Sequence, residues 1–296
     1  MSSSHASLST ISIKRVMVDG LSLFYREAGA IDAPVLLALH GFPTSSIQYR
    51  ALLDGLSDKY RVIAPDLPGF GFTEVPDERN YVYTFENLAK TVGAFVDKLE
   101  INSFALFIFD YGAPVGLRLA LERPNAVKAI ITQNGNAFEA GLGAFWDTLR
   151  PYWADPLAAT NREAVRELLS FEATKAQYLT GESSPSAIPP ESYVLAHALL
   201  LRPGNADIQL SLFHDYQTNL ALYPSFQAYL AARRPPVLAV WGAEDPIFVP
   251  AGARAFKDVV PEAEVVLIEG AGHFALEAHA EEIVERARAF LGKVEW

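Results

Sequence analysis

The sequence predicts an α/β protein in which helices flank a mostly parallel, eight-stranded sheet. Short apolar runs of strand length alternate along most of the chain with segments whose apolar residues recur at helical spacing. Several of these runs end directly before a turn that carries a polar residue, as strands of an open sheet do. A chain of 296 residues with 50% hydrophobic content can also bury the core of so large a sheet.

The predicted elements begin with an antiparallel strand pair, 11–18 and 21–27, around the turn Asp19-Gly20. Six further apolar runs are predicted strands: 34–39, 61–65, 104–109, 127–133, 236–241 and 265–268. Helical spacing predicts helices at 45–56, 84–99, 112–122, 251–259 and 280–291. Because a helix follows nearly every later strand, we expect a mostly parallel sheet. The segment 138–226 interrupts this alternation and is rich in aromatic residues.

An aspartate, Asp110, stands at the turn between the predicted strand 104–109 and the helix that begins at Gly112. Such an elbow exposes its side chain at the carboxyl end of the strand. A carboxylate gains nothing by attacking an ester, because an anhydride results. Its attack on a saturated carbon instead gives an ester that water can hydrolyse. The position therefore indicates a nucleophile for an epoxide or an alkyl halide, the alternative being an ordinary helix cap.

A second turn, His40-Gly41-Phe42-Pro43, follows the predicted strand 34–39. Glycine in such a turn lets backbone N–H groups approach a bound molecule. Together with the N–H of the residue after the nucleophile, an N–H from this loop can form an oxyanion hole. The predicted donors are the N–H groups of Phe42 and Tyr111. The alternative is a plain turn with a proline at the start of the next helix.

Two further polar residues, Asp245 and His273, each follow a predicted strand. Since the carboxyl ends of parallel strands share one edge of a sheet, Asp110, Asp245 and His273 can converge there. Their order along the chain is that of nucleophile, acid and histidine in hydrolases built on such a sheet. Taken singly, Asp245 can be a turn former and His273 a core or surface histidine.

At these motifs the chain resembles the α/β-hydrolase superfamily, in its branch of epoxide hydrolases and haloalkane dehalogenases with an aspartate nucleophile. The matching motifs span nearly the whole chain: His40-Gly41-Phe42-Pro43, Asp66-Leu67-Pro68-Gly69-Phe70-Gly71, Asp110-Tyr111-Gly112, Gly242-Ala243-Glu244-Asp245 and Gly272-His273. One departure is Ile108, which replaces the small residue common two positions before the nucleophile.

The resemblance implies the α/β-hydrolase fold with an inserted helical lid over residues 138–226, between core parts 1–137 and 227–296. Within the lid, we expect a helix at 161–171 and a loop at 183–190.

Epoxide opening is the activity that the family pattern favours. An opening epoxide needs a proton, which a tyrosine supplies, whereas a halide needs N–H donors, which tryptophans supply. Epoxide hydrolases of the family have a proline two residues after the glycine of the oxyanion loop, and Pro43 fits; with His40 it is expected to border the substrate. Tyr216 matches a lid tyrosine of the family and is the first expected proton donor, and Tyr152 is the second. Packing between lid helices is the alternative for both.

Two other functions remain open at this stage. A haloalkane dehalogenase would use the same three residues and hold the halide with lid indoles, Trp146 and Trp153. A non-catalytic binding protein would have kept only the fold and the pocket.

The expected reaction is the hydrolysis of an epoxide to a vicinal diol, in which His273, oriented by Asp245, activates the water.

Composition limits the partners of the protein. A net charge of −11 disfavours nucleic acid and anionic membranes, since neutralising phosphate needs clustered Lys and Arg. No apolar stretch reaches the roughly 20 residues of a membrane helix, and residues 1–7 have no signal-peptide core, so a cytoplasmic protein is expected. With no cysteine and six scattered His, neither a metal nor another cofactor is expected. The expected ligand is a small, neutral, largely apolar molecule, and the protein a monomer or homodimer.

Overall fold

The computed structural model describes residues 11–296. The polar start, residues 1–7, lies outside the described residues. Within 11–296, every helix falls short of the length and apolarity that crossing a membrane requires.

Eight strands form a single sheet, as the apolar runs predicted. They are β1 (Ser12–Val18), β2 (Leu21–Ala28), β3 (Val35–Leu39), β4 (Arg61–Pro65), β5 (Phe104–Phe109), β6 (Val127–Gln133), β7 (Val237–Gly242) and β8 (Glu264–Ile268). Their order across the sheet is β1-β2-β4-β3-β5-β6-β7-β8. The first two strands pair antiparallel, β2 also runs antiparallel to β4, and all other pairs are parallel. The mostly parallel sheet is thereby confirmed.

Twelve α-helices lie in the described part of the chain. They are α1 (Arg50–Leu56), α2 (Phe85–Lys98), α3 (Gly112–Glu122), α4 (Leu149–Ala154), α5 (Ala159–Arg166), α6 (Phe171–Leu179), α7 (Pro190–Leu200), α8 (Asn205–Asp215), α9 (Gln217–Arg233), α10 (Ala251–Val259), α11 (Ala275–Ala278) and α12 (Ala280–Leu291). The helix expected at 45–56 begins as a 3-10 turn. The single helix expected at 161–171 is wrong, because Ser170 caps a new helix there by accepting from the Ala173 N–H at 3.1 Å.

Helices α4 to α9 all lie between β6 and β7 in the chain. They overlap the segment 138–226, in which the strand–helix alternation was interrupted, and α9 extends past it to Arg233. The boundary expected at 226 falls inside α9, which packs against both α3 and α10. The last helix of this insertion is therefore shared between the inserted segment and the body that carries the sheet.

The sheet has two buried faces, and β5 shows how they divide. Leu106 and Ile108 pack into the core formed with α2 and α3, whereas Ala105 and Phe107 pack into the core formed with α1 and α12. All six residues of β5 are fully buried, as expected for a central parallel strand covered on both sides. The residue that follows β5 is thereby held at the carboxyl edge of the sheet.

The start of α3 lies directly against β3. A Cβ atom added at Gly112 would lie 1.9 Å from the carbonyl oxygen of Leu39, so only glycine permits this approach. One turn further along α3, Gly116 leaves the space that Ile108 fills; a Cβ there would lie 2.7 Å from the Ile108 Cγ2. The bulky residue at position 108 is thus accommodated by the helix that packs on it.

We predict that Gly112→Ala lowers the free energy of unfolding by about 3 kcal/mol, because α3 must move away from β3 to admit the methyl group. Urea denaturation measures this loss. The matched control is Gly292→Ala, whose new Cβ would meet its nearest atom at 3.4 Å, an ordinary contact. It is expected to change stability by no more than about 0.5 kcal/mol. Equal effects of the two substitutions would contradict the close approach.

Candidate active site

Asp110 lies at the elbow between β5 and α3, and its carboxylate is buried. Its φ of +46° is left-handed, a strained conformation for a residue with a side chain. The Phe42 N–H donates to Asp110 Oδ1 at 2.6 Å, and the Tyr111 N–H also donates to this carboxylate. No side chain caps α3. The carboxylate therefore faces the loop after β3 and is not an ordinary helix cap.

Gly41 allows the loop after β3 to come this close. A Cβ at this position would lie 2.1 Å from Asp110 Oδ1. The two N–H groups expected in an oxyanion hole, those of Phe42 and Tyr111, thus converge on one oxygen-binding position beside Asp110. Two such donors stabilise negative charge on an oxygen held there.

His273 and Asp245 meet Asp110 at the same edge of the sheet. The His273 Nδ1 lies 2.9 Å from Asp245 Oδ2, and its Nε2 lies 3.8 Å from Asp110 Oδ2. The second distance is beyond a hydrogen bond, and Nε2 is buried without a hydrogen-bond partner among the described residues. The distance of 3.8 Å between Nε2 and Asp110 Oδ2 is shorter than the summed lengths of two hydrogen bonds. A water molecule that is hydrogen-bonded to Nε2 can therefore also contact the Asp110 carboxyl group.

Asp245 is held by three donors. The N–H groups of Ile247 and Phe248 donate to Oδ1 at 2.8 and 3.2 Å, and the Asn134 Nδ2 donates to Oδ2 at 2.6 Å. The carboxylate oxygen that bonds His273 is therefore fixed from the opposite side by an amide. Sequence reasoning missed Asn134, although this residue follows the predicted strand 127–133 as directly as Asp110 follows its own strand.

Burial and neighbouring charges set the pKa values of Asp110 and His273. Burial raises the pKa of Asp110 to about 6, although His273 and the N–H groups of Phe42 and Tyr111 act to lower it. For His273, burial acts to lower the pKa, but the carboxylates of Asp245 and Asp110 together outweigh burial and raise it. Perturbed pKa values on facing groups in a cleft are typical of catalytic sites.

A narrow cavity lies over Asp110. The space open to the centre of a water molecule is about 10 Å³, which is enough to hold one water molecule. Its wall is mostly apolar and comes from both the sheet edge and the inserted helical segment between β6 and β7. The lining residues beside Asp110 are Phe42, Tyr111, Phe145, Trp146, Leu149, Gln177, Phe213 and Ile247.

Tyr216 is absent from the described cavity wall, but it lies in a buried aromatic cluster with two residues that line the cavity. Its ring centroid is 4.3 Å from that of Trp146 and 5.8 Å from that of Tyr111. Its hydroxyl lies 3.4 Å from the hydroxyl of Tyr223, which accepts from the Asn136 Nδ2 at 3.2 Å. Burial, with the nearby Tyr223 and the charge of Asp110, raises the pKa of the Tyr216 phenol well above its usual range.

The structure does not bring Tyr152 to the site. Its hydroxyl donates to the Leu210 carbonyl at 3.4 Å, and Arg162 on α5 also bonds it, so it faces the interior of the lid. The tyrosine that lies beside Tyr216 is Tyr223, seven residues along the same helical segment. Burial raises the pKa of Tyr223 to about 12. Sequence reasoning missed Tyr223, because a tyrosine at helical spacing is as typical of packing as of a binding site.

The two lid indoles use their N–H groups within the protein. Trp146 lines the cavity with its ring and donates to the Ile247 carbonyl at 2.9 Å, while Trp153 donates to the Phe213 carbonyl at 2.8 Å. Trp153 is absent from the described cavity wall. Its contact with a ligand stays a prediction.

His40 and Pro43 are likewise absent from the described wall of the cavity. The ring of His40 bonds only backbone: Nδ1 donates to the Gly41 carbonyl at 3.0 Å, and Nε2 accepts from the Leu67 N–H at 3.0 Å. It therefore joins the loop after β3 to the loop after β4. The cavity wall gives no support to the expectation that His40 and Pro43 border the substrate, which stays a prediction.

Comparison with known proteins agrees with the fold and indicates a hydrolase. A sequence model of the family described as alpha/beta hydrolase fold matches residues 34–280. A protein of Saccharomyces cerevisiae described as an uncharacterized hydrolase is 46% identical over 276 residues, which cover 90% of this chain and 92% of the yeast protein.

Two relatives with named activities are more distant. Haloalkane dehalogenase 2 of Mycobacterium tuberculosis is 29% identical over 262 residues, 82% of this chain and 83% of the dehalogenase. The crystal structure of an epoxide hydrolase from Vigna radiata superposes with a TM-score of 0.74 at 27% identity, covering 96% of this chain and 98% of that one.

We predict that Asn134→Asp lowers the free energy of unfolding by about 2 kcal/mol near pH 8, because it removes a donor to Asp245 and adds a like charge. The loss should shrink as the pH falls, since a protonated carboxyl at this position can donate as the amide does. Thermal or urea unfolding at several pH values measures both effects.

The matched control is Asn80→Asp. Asn80 has the same left-handed backbone, with φ +46° against +51° at Asn134, but is exposed. It should change stability by about 0.5 kcal/mol at most. A loss at Asn134 that is the same at all pH values would show that the amide is not acting as a donor to Asp245.

Proposed function

The chain belongs to the α/β-hydrolase family and is a hydrolase, and on this premise we propose that it opens an epoxide to a vicinal diol through an ester on Asp110. One observation carries the proposal. Oδ1 of Asp110 is held by the Phe42 N–H, while Oδ2 lies 3.8 Å from a histidine nitrogen that has no partner among residues 11–296. A carboxylate so arranged has one oxygen free to attack a saturated carbon.

In the first step, Asp110 Oδ2 attacks one ring carbon and the carbon–oxygen bond of the ring breaks. The ring oxygen keeps the electron pair and takes a proton from the Tyr216 phenol. Because the Tyr223 hydroxyl accepts from Asn136, its own proton is available to the Tyr216 oxygen, which leaves the Tyr216 proton for the substrate. The product of this step is a hydroxyalkyl ester of Asp110.

In the second step, His273 Nε2 removes a proton from water, and the water oxygen attacks the Asp110 carboxyl carbon. Negative charge then develops on Oδ1, where the N–H groups of Phe42 and Tyr111 stabilise it. The ester bond breaks, His273 returns its proton to the leaving oxygen, and the diol departs. Asp110 is left as the carboxylic acid and releases its proton to solvent, while Tyr216 takes a proton from solvent. The sum is therefore epoxide plus water giving diol, with no cofactor.

Ester formation also prepares His273 for its role. The charge of Asp110 is one of the groups that raise the pKa of His273. When that charge is lost in the ester, this contribution disappears and the neutral imidazole is favoured. Loss of the Asp110 charge therefore shifts His273 toward its active, neutral form at the step in which the water must be deprotonated.

Dehalogenation is the second candidate, and the lid indoles argue against it. A leaving halide needs free N–H donors, but those of Trp146 and Trp153 already bond backbone carbonyls at 2.9 and 2.8 Å. Breaking either bond would leave a buried carbonyl without its donor, which is unfavourable. Measuring halide release beside diol formation on matched substrates distinguishes the two reactions. Release of halide at a higher rate than diol would favour dehalogenation.

We predict that Asp110→Ala lowers epoxide hydrolysis by at least about 10⁴-fold, because it removes the attacking oxygen. His273→Gln should instead form the ester and stop, which a protein mass increased by one substrate molecule reveals. In a single turnover of excess wild-type enzyme in heavy-oxygen water, the new hydroxyl oxygen should come from Asp110 and the label should remain on that residue. Near-normal hydrolysis by Asp110→Ala, or solvent label in the diol of the first turnover, would overturn the mechanism.

The pH profile follows from the raised pKa of Asp110, about 6. Only the ionised carboxylate attacks, so kcat/KM should fall roughly tenfold for each pH unit below this value and level off above it. In His273→Gln, the positive charge that helps to ionise Asp110 is missing, so the acid limb of single-turnover ester formation should move to higher pH. A flat profile from about pH 5 to about pH 8 in the wild type would contradict an aspartate nucleophile.

A further inference from the structure

Gln177 carries a buried amide that the proposed mechanism does not use. This residue lies on lid helix α6 and is only 8% exposed. Its Nε2 is buried and has no hydrogen-bond partner among the described residues. A buried donor without a partner is unfavourable, so such a group in a native protein calls for an explanation.

Two cavities share this side chain. The first is the narrow cavity over Asp110. The second, here called the vestibule, lies on its outer side between α6 and the loop after β7, with a volume of about 220 Å³ and an almost wholly apolar wall. Phe145, Gln177 and Ile247 line both cavities, so these three residues form the partition between them.

The position of this partition between the two cavities indicates where each part of a substrate would lie. The proposed attack places the reacting ring over Asp110, where the cavity is far smaller than the vestibule, at about 10 Å³ against about 220 Å³, and leaves no space for a substituent as well. A substituent must therefore pass the partition, and its apolar end finds space in the vestibule. The first atoms of the substituent then lie beside Gln177.

Gln177 is the donor suited to meet an acceptor at this point. The N–H of Trp146, in the same cavity wall, is used by the Ile247 carbonyl. The Tyr111 hydroxyl is also buried without a described partner, but Tyr111 does not line the vestibule. At the partition itself, the neighbouring side chains of Phe145 and Ile247 are apolar.

Resting on the proposed function, we propose that Gln177 selects epoxides that carry a hydrogen-bond acceptor, such as an ether oxygen, on the carbon next to the ring. The Gln177 Nε2–H donates to this acceptor, and the apolar group beyond it occupies the vestibule. The preferred substrates are then aryl or alkyl glycidyl ethers and similar compounds, rather than plain alkyl epoxides. An analogue without the acceptor leaves the amide unpaired and is discriminated against.

The test compares phenyl glycidyl ether with 4-phenyl-1,2-epoxybutane, which differ only in an ether oxygen replaced by CH₂. The readout is the ratio of their kcat/KM values in the wild type and in Gln177→Met, which keeps the length of the side chain without its donor. We expect this ratio to fall by about tenfold in Gln177→Met. General damage to the lid would lower both values and leave the ratio unchanged, so the ratio reports the hydrogen bond.

Leu168→Met provides the matched control, since it alters the shape of the vestibule wall without touching the amide. Its ratio should equal that of the wild type. An unchanged ratio in Gln177→Met, or a fall of the same size in Leu168→Met, would overturn the assignment. An equal loss with both epoxides in Gln177→Met would also overturn it, because the amide would then act on the ring or on the lid.

A binding measurement separates this inference from the proposed function. If the wild type converts neither epoxide, the proposed function fails, and the two compounds are titrated by calorimetry into the Asp110→Asn protein with and without Gln177→Met. Tighter binding of the ether that disappears with Gln177→Met would support the selective role of Gln177 alone. Equal affinities, or no measurable binding of either compound, would overturn it.

Discussion

The burial of one carboxylate, that of Asp110, governs the construction of this site. A buried charge is costly unless it is hydrogen-bonded and faces an opposite charge. Here two backbone N–H groups bond it and the imidazole of His273 faces it. To hold the carboxylate in this position, the backbone at Asp110 adopts a left-handed φ. The loop after β3 can approach the carboxylate only because Gly41 has no side chain. The close packing of β3, β5 and α3 thus serves to hold one oxygen in a defined place.

The same carboxylate organises the groups behind the imidazole. His273 is buried, and burial alone disfavours its charged form, so the two aspartates on either side determine its protonation. Asp245 does this while bonded by two backbone N–H groups and the amide of Asn134. Each member of the row Asn134, Asp245, His273 restrains the next, and each comes from the end of a different strand or the loop beyond it. The parallel sheet is what makes such a row possible.

The inserted helices decide what the Asp110 carboxylate can meet. Their indole N–H groups donate to backbone carbonyls. The hydroxyls of Tyr216 and Tyr223 lie 3.4 Å apart, which is long for a hydrogen bond between hydroxyls. The Gln177 amide has no described partner at all. Donors already satisfied by the protein contribute to packing, and those left unsatisfied are available to a ligand. In the reaction proposed above, this difference favours a leaving oxygen that takes a proton over a halide, and a substrate with an acceptor beside the epoxide ring.

The sequence by itself determined the sheet, the elbow at Asp110 and the residues that converge on it. Apolar runs define the strands, and a polar residue directly after such a run must lie at the edge where parallel strands end. That reasoning located Asp110, Asp245, His273 and the N–H of Phe42, and applied once more it would have found Asn134. Only the tertiary structure placed Tyr152 away from Asp110 and Tyr223 beside Tyr216, and assigned the indoles their partners. The reason is physical: a helical repeat of apolar residues is the same whether a side chain packs or lines a cavity, and its hydrogen-bond partner comes from a distant part of the chain.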